Sequence, residues 1–276
     1  MLVLCAFSSK ELRAVAVTCK LWRGLVMTAV SRILQERHDL LPTLAADPTP
    51  EWPWEMVSTN GGVNASIRGS EIDIWQSDSW KWPKGSEHGP WPKGMSVLRA
   101  VRDLPADRPC AWKIHVPGYQ WHFQVGLAAS CGPRPFHDFG GEAVGHFAML
   151  HLGLAEIATP ISSIPVEVGG GEDREELLEG GGDLILLFWK QRLTFFSSVQ
   201  QRAVTIQLPA AFRAASSPVP SQPLRYRPVI ETWREVPGDA GERCPAQRFV
   251  MSRARPIELL RVIEALPAED DVLGYD

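Results

Sequence analysis

The carboxylates of Glu71 and Asp73 have the types and spacing that come closest to a catalytic arrangement in this 276-residue chain. Ile72 and Ile74 alternate with them, which is the pattern of a half-buried strand. Because alternate residues of a strand share one face, both carboxylates should point to the same side. Such a pair could serve as acid, base or nucleophile, or it could simply form the solvent side of the strand.

The segment Glu71-Ile72-Asp73-Ile74-Trp75-Gln76 resembles the Glu-x-Asp-x-x-Glu strand of laminarinase-like glycoside hydrolases. The resemblance implies a jelly-roll sandwich in which Glu71 and Asp73 face a sugar-binding cleft. In that family the final Glu protonates the leaving oxygen, and retaining hydrolysis needs this acid roughly 5 Å from the nucleophile. Gln76 stands in its place here and cannot donate that proton. A glycan-binding or glycoside-hydrolase-like protein therefore stays an alternative, with binding preferred to turnover.

Tryptophan is frequent, with 11 residues, and it is concentrated between Trp52 and Trp91. The sequence Trp-Pro-Lys-Gly occurs at 82–85 and again at 91–94, and such combinations of Pro and Gly form loops. Aromatic side chains on loops are typical contacts for peptides or sugars, although these rings could equally cover the edge of a sandwich. Trp80, Trp82 and Trp91 are the candidate ligand contacts.

Other catalytic and metal chemistry lacks support in the sequence. The seven histidines and five cysteines do not show the short spacings of a metal site or a redox dithiol. The chain contains no Gly-x-Ser-x-Gly elbow. The glycine triplets at 169–171 and 180–182 lack the Lys that follows a phosphate-binding loop. We predict no catalytic residue, no metal and no cofactor.

The composition of the chain argues against some classes of binding partner. A net charge of −4 and a pI of about 6.0, without clustered Lys and Arg, argue against nucleic-acid binding. The apolar start, Met1–Phe7, gives way to charged residues unlike a signal peptide, and no run approaches the ~20 apolar residues of a membrane span. Scattered cysteines suit a reducing compartment. We expect a soluble cytoplasmic or nuclear protein with no nucleic-acid or membrane partner.

The elements that must position these residues follow from periodicity. A helical pattern runs from Ser8 to about Arg37 with a bend expected near Gly24, and Ser8 and Glu11 have capping-box spacing. Later, short alternating runs between Gly, Pro and Ser predict a mainly β, antiparallel sandwich, and Pro256–Leu266 is typical of a short amphipathic helix. The predicted strands are Val63–Ile67, Ile72–Ile74, Val97–Val101, Ala111–Val116, Trp121–Ala129, His146–Leu152, Asp183–Trp189, Leu193–Phe196, Ala203–Leu208 and Tyr226–Trp233.

The N-terminal helical stretch, residues 4–25, resembles the latter part of an F-box, the motif that binds the Skp adaptor of cullin ubiquitin ligases. Its Val-x-Cys-Lys-x-Trp cluster matches the family's closing helices, whereas the family's opening Leu-Pro loop has no counterpart. The resemblance implies that a Skp-type adaptor and a cullin scaffold are partners. The residues implied to bind the adaptor are Phe7, Leu12, Val15, Cys19, Trp22 and Leu25.

A second resemblance, to SPRY domains, extends across roughly Val57 to Trp233. It rests on Ala111–Val116 with the following Trp-x-x-x-Val-Gly-Leu-Ala strand, on the Gly-Asp-x-Ile strand and its hairpin partner at 182–196, and on Tyr-x-Pro-Val at 226–229. The family's Asn-Gly turn is replaced by Ser198-Val199-Gln200, so we expect a different hairpin turn there. SPRY domains bind proteins or peptides through loops at one rim of the sandwich.

Together these features predict four regions: an F-box-like helical segment (1–37), a proline-rich linker (38–55), a SPRY-like, concanavalin-like jelly-roll sandwich (56–236), and a C-terminal extension with a short helix and an acidic tail (237–276). The predicted function is a non-catalytic, protein-binding adaptor, the substrate-recognition subunit of a cullin–RING ubiquitin ligase. Its expected partners are the Skp-type adaptor, the cullin scaffold and a protein or peptide substrate.

Overall fold

The structure of the chain is a computed structural model. It describes residues 4–17, 20–38, 54–59, 63–69, 71–76, 95–104, 109–116, 122–131, 146–151, 156–158, 163–165, 181–208, 211–212, 222–233 and 247–267. Within these ranges the chain forms three α-helices, one short 3-10 helix and two antiparallel sheets.

The helices are α1 (Ser9–Ala16), α2 (Lys20–His38) and α3 (Pro256–Glu264), with a 3-10 turn at Leu4–Ala6 ahead of α1. The predicted capping box is confirmed, because the Ser8 amide donates to the Glu11 carboxylate at 2.8 Å and the Ser8 hydroxyl accepts from the Glu11 amide at 3.4 Å. The helix predicted at the C-terminus is confirmed as α3. No helix among the described residues is long and apolar enough to span a membrane.

The chain breaks earlier than the bend that the sequence predicted at Gly24. Helix α1 ends at Ala16, and α2 runs through Gly24 without interruption. The reason is packing, because Leu12 and Leu34 belong to one buried cluster. A single continuous helix would separate them by about 33 Å at 1.5 Å per residue, so the chain must turn between them.

The fifteen strands of the described residues form two sheets, and every pairing between them is antiparallel. The eight-stranded sheet has the order β1-β4-β14-β6-β7-β8-β9 with β13 beside β14, and the seven-stranded sheet has the order β12-β11-β10-β5-β15-β3-β2. The strands are β1 (Trp54–Thr59), β2 (Val63–Arg68), β3 (Glu71–Gln76), β4 (Met95–Ala100), β5 (Cys110–Val116), β6 (His122–Cys131), β7 (His146–His151), β8 (Glu156–Ala158), β9 (Ser163–Pro165), β10 (Gly182–Trp189), β11 (Arg192–Ser197), β12 (Arg202–Gln207), β13 (Ala211–Phe212), β14 (Gln222–Trp233) and β15 (Gln247–Arg253). The predicted mainly β, antiparallel sandwich is confirmed.

The main core lies between the two sheets. Strand β5 shows the alternation that builds it, with Trp112 and Ile114 buried while Lys113 and His115 point outward. Phe188 of β10 and Tyr226 of β14 meet across the core, with ring centroids 5.8 Å apart. Burial of this many aliphatic and aromatic side chains is the main stabilising term, worth about 25 cal/mol per Å² of apolar surface removed from water.

Strand β15 lies between β5 and β3 in the seven-stranded sheet, although the sequence assigned it to an extension beyond residue 236. Phe249 and Met251 of this strand enter the core. Strand β1 likewise begins at Trp54, inside the segment assigned to a linker, and Trp54 is a core residue. The sandwich therefore includes chain on both sides of the range that the sequence assigned to it.

The three helices form a layer on the outer face of the seven-stranded sheet, which we call the helical layer. Val262 of α3 packs on Ile185, Leu187 and Phe196 of the sheet. This second contact explains why β10 is apolar on both faces, reading Leu-Ile-Leu-Leu-Phe without alternation. The N-terminal helices pack in turn on α3, where Leu12, Leu34 and Leu260 share one cluster with other residues of α1, α2 and α3.

The hairpin between β11 and β12 has the altered turn that its sequence predicted. Residues 198–201 form the turn, the Gln201 amide donates to the Ser197 carbonyl at 2.9 Å, and the Ser197 hydroxyl accepts from the Gln200 amide at 3.2 Å. Gln201 takes the left-handed conformation, with φ of 58°, which residues other than Gly adopt less readily.

Candidate functional site

The carboxylates of Glu71 and Asp73 lie on the outer face of β3, opposite the buried Ile72 and Ile74. Arg248 of the neighbouring strand β15 binds both of them. Its Nε lies 2.7 Å from Asp73 Oδ1, its Nη2 lies 3.2 Å from Asp73 Oδ2, and its Nη1 lies 3.3 Å from Glu71 Oε2. The pair predicted from the sequence is therefore brought together, but around a cation.

This arrangement is poorly suited to hydrolysis. The hydrogen bond from the Arg248 guanidinium lowers the pKa of Asp73, and the same guanidinium engages both carboxylates, so a ligand would have to displace it. The outer face is also the one that carries the helical layer. The side chain of Gln76 lies outside the described residues. The geometry therefore does not favour the glycan-acting alternative, and it resembles a surface ion-pair cluster.

The residues that the F-box resemblance implied are distributed over two environments. Leu12 is fully buried in the helical layer, with 0% of its surface exposed. Phe7, Val15 and Leu25 are half-buried, and Trp22 is 44% exposed. Cys19 lies outside the described residues. Leu12 thus holds α1 in place and cannot touch a partner in this conformation, whereas Trp22 can.

Two exposed apolar residues beside Trp22 were not among the sequence candidates. Val17, which caps the end of α1, is 72% exposed, and Leu21, in the first turn of α2, is 71% exposed. We call Val17, Leu21 and Trp22 the apolar tip of the helical layer. Clustered exposure of large apolar side chains costs solvation free energy and marks interaction surfaces. The amphipathic pattern missed these residues because it assumed that one continuous stripe faced the same way.

The tryptophans Trp80, Trp82 and Trp91 lie outside the described residues, so their role in ligand contact stays a prediction. Among the described residues, no group of three or more His, Cys, Asp and Glu side chains could hold a metal ion. His115 on the outer face instead pairs with Asp183, with Nδ1 2.8 Å from Oδ1.

A buried ionic cluster joins α3 to the sheet, and the sequence did not indicate it. The Glu258 side chain is 5% exposed, and its carboxylate accepts from the Arg255 amide at 2.7 Å, from Arg255 Nη2 at 2.7 Å and from Lys113 Nζ at 3.2 Å. Lys113 also lies 3.3 Å from Asp183. Burial raises the pKa of Glu258, but the hydrogen bonds from Arg255 and Lys113 outweigh it, so the net pKa is lowered. The cluster pins the helical layer to β5 and β10.

No model of a known protein family matches the chain, and no characterised protein matches its sequence. Three solved structures illustrate what the fold is similar to. The SPRY domain of human HERC1 aligns over 71% of this chain and 98% of that domain, with 9% identity and a TM-score of 0.34. The exoplasmic/lumenal domain of VIP36 in its metal-free form aligns over 79% and 87%, with 11% identity and a TM-score of 0.30, and the Emp47p carbohydrate recognition domain over 74% and 93%, with 11% and 0.29.

Identities of this size do not define a family for this chain. The assignment of the fold rests on the strand order and registers given above, which form two facing antiparallel sheets. These observations establish an antiparallel β-sandwich that carries a helical layer. They leave the F-box interpretation of α1 and α2 as a proposal.

Proposed function

We propose that this protein is a non-catalytic adaptor that docks a Skp-type protein through the apolar tip of the helical layer. Its β-sandwich then presents a protein or peptide substrate to a cullin–RING ubiquitin ligase. This role requires residence in the cytoplasm or nucleus, as the scattered cysteines also suggest.

The observation that carries the proposal is the exposure of Val17, Leu21 and Trp22. These side chains lie within six residues of sequence at the α1–α2 junction, in the segment whose Val-x-Cys-Lys-x-Trp pattern resembles an F-box. A half-exposed tryptophan next to a large aliphatic residue is a typical anchor of a protein interface. The resemblance and the exposure therefore support the same surface.

The layer that carries the apolar tip is firmly attached to the sandwich. Helix α3 follows directly from the central strand β15, and Val262 packs on the sheet while Leu259 and Leu260 pack on α1 and α2. Glu264 of α3 accepts from the Ser9 amide at 3.0 Å and from the Ser9 hydroxyl at 2.5 Å. An adaptor must hold its substrate-binding surface in a fixed orientation relative to the scaffold protein. The attachment of the helical layer to the sandwich would provide this fixed orientation.

The substrate-binding end of the proposal rests on the sandwich. Rigid β scaffolds bind partners mainly through the loops that join their strands. The tryptophan-rich segment that contains Trp80, Trp82 and Trp91 joins β3 to β4. We propose this segment as the surface that contacts a peptide.

The proposal is tested by purifying the full chain together with a recombinant Skp-type adaptor. The unaltered chain should retain the adaptor, and the double variant Leu21→Ala/Trp22→Ala should lose at least ~90% of it, since loss of two interface anchors costs about 2–4 kcal/mol. Val199→Ala is the matched control, because Val199 is also a large exposed apolar residue, 58% exposed, but lies on the β11–β12 turn.

Failure of the unaltered chain to retain the adaptor would contradict the proposal. Equal retention by the tip variant and the Val199→Ala control would also contradict it, because the docking surface would then lie elsewhere. Circular dichroism should show that both variants fold, with only a small fall in Tm for the tip variant, since Leu21 is 71% exposed and Trp22 is 44% exposed.

A further inference from the structure

Gly24 lies inside helix α2 at a position where the fold does not require glycine. The helix continues through Gly24 without a break, and Gly24 does not take a positive φ. A side-chain carbon added there would meet no described residue within 4 Å, apart from the adjacent helix backbone. Glycine in a helix interior is less stable than alanine. Neither backbone conformation nor packing among the described residues therefore explains this glycine.

The exposed face of α2 around Gly24 has a gap in its cover of side chains. Leu21 lies three residues before Gly24 and Thr28 four residues after it, so all three share one side of the helix, and all three are exposed. The Thr28 hydroxyl donates to the Gly24 carbonyl at 3.1 Å, which holds that side chain against the helix. The backbone at Gly24 is thus open to close approach beside Leu21 of the apolar tip.

The charge near this face is positive, although the whole chain carries −4. Residues 9–24 contain four Lys and Arg residues and a single acid, Glu11. The Glu11 carboxylate already accepts from the Ser8 amide and from the Ser8 hydroxyl, both at 2.8 Å. The local excess of cations therefore favours a partner of opposite charge.

Three of these cations are exposed beside the apolar tip. Lys10, Arg13 and Val17 follow one another at steps of three and four residues, so they share one side of α1, and Arg23 directly follows Trp22 in α2. Within the described part of the chain, no acidic side chain forms an ion pair with Lys10, Arg13 or Arg23. These charges are available to a carboxylate on a docked partner.

We propose that this face of α2 receives an acidic amphipathic helix of the docked partner. The apolar side of that helix would pack on Leu21 and over the backbone at Gly24, and its carboxylates would meet Arg13 and Arg23. The distance between packed helices depends on the side chains at their contact, and glycine allows the closest approach. This inference rests on the docking role proposed above, and it adds the point of approach and the charge of the partner.

An anionic membrane is the other surface that attracts cations beside an exposed tryptophan. The gap at Gly24 favours a helix, because a helix can place an apolar side chain between Leu21 and Thr28. A flat bilayer meets the protruding side chains first. Membrane binding is therefore an outcome that the experiment must be able to detect.

The first arm of the test enlarges Gly24 and measures the affinity of the full chain for a recombinant Skp-type adaptor by biolayer interferometry. Gly24→Ala should weaken binding about 3-fold and Gly24→Leu at least ~10-fold, because each side chain holds the two helices further apart. Both variants should raise Tm by about 1–4 °C, since alanine and leucine favour the helix. This combination of tighter folding and weaker binding is not expected from a purely structural residue.

Gln35→Ala and Gln35→Leu are the matched controls for shape. Gln35 is exposed and lies eleven residues after Gly24, on the same side of α2 and about 16 Å further along its axis. Both control variants should leave affinity within ~2-fold, because they add or remove bulk outside the proposed contact.

The second arm reverses the charge. Arg13→Glu/Arg23→Glu should weaken adaptor binding at least ~10-fold, and binding to the unaltered chain should weaken as salt rises. Arg202→Glu is the matched control, because Arg202 is an exposed cation of β12, in the same hairpin as Val199. It should leave affinity within ~2-fold.

The third arm replaces the adaptor with peptides, so that the surface is tested without assuming a Skp-type partner. The acidic probe is a fluorescein-labelled amphipathic peptide of about 18 residues, or five helical turns, with Leu on one side and Glu on the other. The basic probe carries Lys in place of Glu. In fluorescence anisotropy the acidic probe should bind the unaltered chain at least ~10-fold more tightly than the basic probe, and Gly24→Leu should weaken it. Vesicles that contain phosphatidylserine should not bind the chain.

The outcomes separate this inference from the adaptor proposal. If the adaptor binds the unaltered chain, Gly24→Leu and Arg13→Glu/Arg23→Glu equally well, this inference is overturned and the adaptor proposal stands. If the adaptor does not bind but the acidic probe binds and loses affinity in Gly24→Leu, the Skp role fails and this surface assignment stands. A lower Tm in Gly24→Leu, equal binding of the two probes, binding of vesicles in place of the acidic probe, or no binding of either adaptor or probe would overturn the inference.

Discussion

At the scale of single residues, ionic contacts place the charges of the outer face. Arg248 forms ion pairs with both Glu71 and Asp73, and Glu258 is held by Arg255 and Lys113. Arg248 and Glu71 are about half exposed, whereas the Glu258 side chain is buried, with 5% of its surface exposed. The same type of contact therefore has different consequences for stability. Exposed ion pairs contribute little to the free energy of folding, whereas removal of a partner from a buried carboxylate is strongly destabilising.

Replacement of Glu258 by Gln should reduce the free energy of unfolding by about 1–3 kcal/mol, because Lys113 loses a buried countercharge. Urea unfolding at neutral pH measures this directly. Glu36→Gln is the matched control, since Glu36 pairs with Arg32 on the exposed side of α2. That change should cost no more than about 0.5 kcal/mol. Similar losses in the two variants would contradict the role of the buried cluster.

The same cluster predicts how stability changes with pH. For both Glu258 and Asp183, burial raises the pKa, but hydrogen bonds and nearby cations outweigh it and leave the folded-state value lowered. Their contribution is therefore complete above the unfolded values near 4.5 and 3.8, and it is lost as the pH falls below them toward the folded values. The unaltered protein should lose stability below about pH 4.5 more steeply than Glu258→Gln, as urea titrations over this range would show. Parallel curves would contradict this.

At the scale of elements, the periodicity of apolar residues predicted the positions of the strands well and the boundaries of the helices less well. Every predicted strand corresponds to a strand of the structure. Strands such as β5 keep a period of two because one face is solvated, whereas β10 is a short, continuous apolar run that is covered on both faces. Strand β15 was missed because its apolar residues, Phe249-Val250-Met251, form a short run that does not alternate with polar residues. The break between α1 and α2 was missed because periodicity does not record which helices meet in space.

The contacts between strands and between layers could not be predicted from the sequence for a related reason. Arg192 and Gln207 lie 15 residues apart and meet through the register of β11 and β12, which the sequence alone does not fix. Glu258 and Lys113 meet only because α3 lies over β5. Sites made by cross-strand and interlayer contacts require the fold to be known first.

The contact between Ser9 and Glu264 should control the attachment of α1. Replacement of Glu264 by Ala removes acceptors from the first turn of α1, which should cost about 1–2 kcal/mol locally. Hydrogen–deuterium exchange should then speed up about 5- to 30-fold in residues 9–16 while strand β10 is unaffected. Unchanged exchange in α1 would show that apolar packing alone attaches this helix.

At the scale of the whole molecule, the helical layer connects the proposed docking surface to the β-sandwich. Helix α3 contacts both the sheet and the N-terminal helices, so the apolar tip cannot move freely relative to the sandwich. The two carboxylates that the sequence singled out, Glu71 and Asp73, are paired with Arg248. The adaptor proposal is the claim on which this interpretation depends.

The most direct measurement of that claim is hydrogen–deuterium exchange of the full chain with and without a saturating Skp-type adaptor. We predict at least ~10-fold slower exchange in peptides that cover residues 13–24, because docking removes the apolar tip from solvent. The β11–β12 turn around Val199 should exchange at the same rate in both states. Protection confined to the sandwich, or no protection anywhere, would contradict the account.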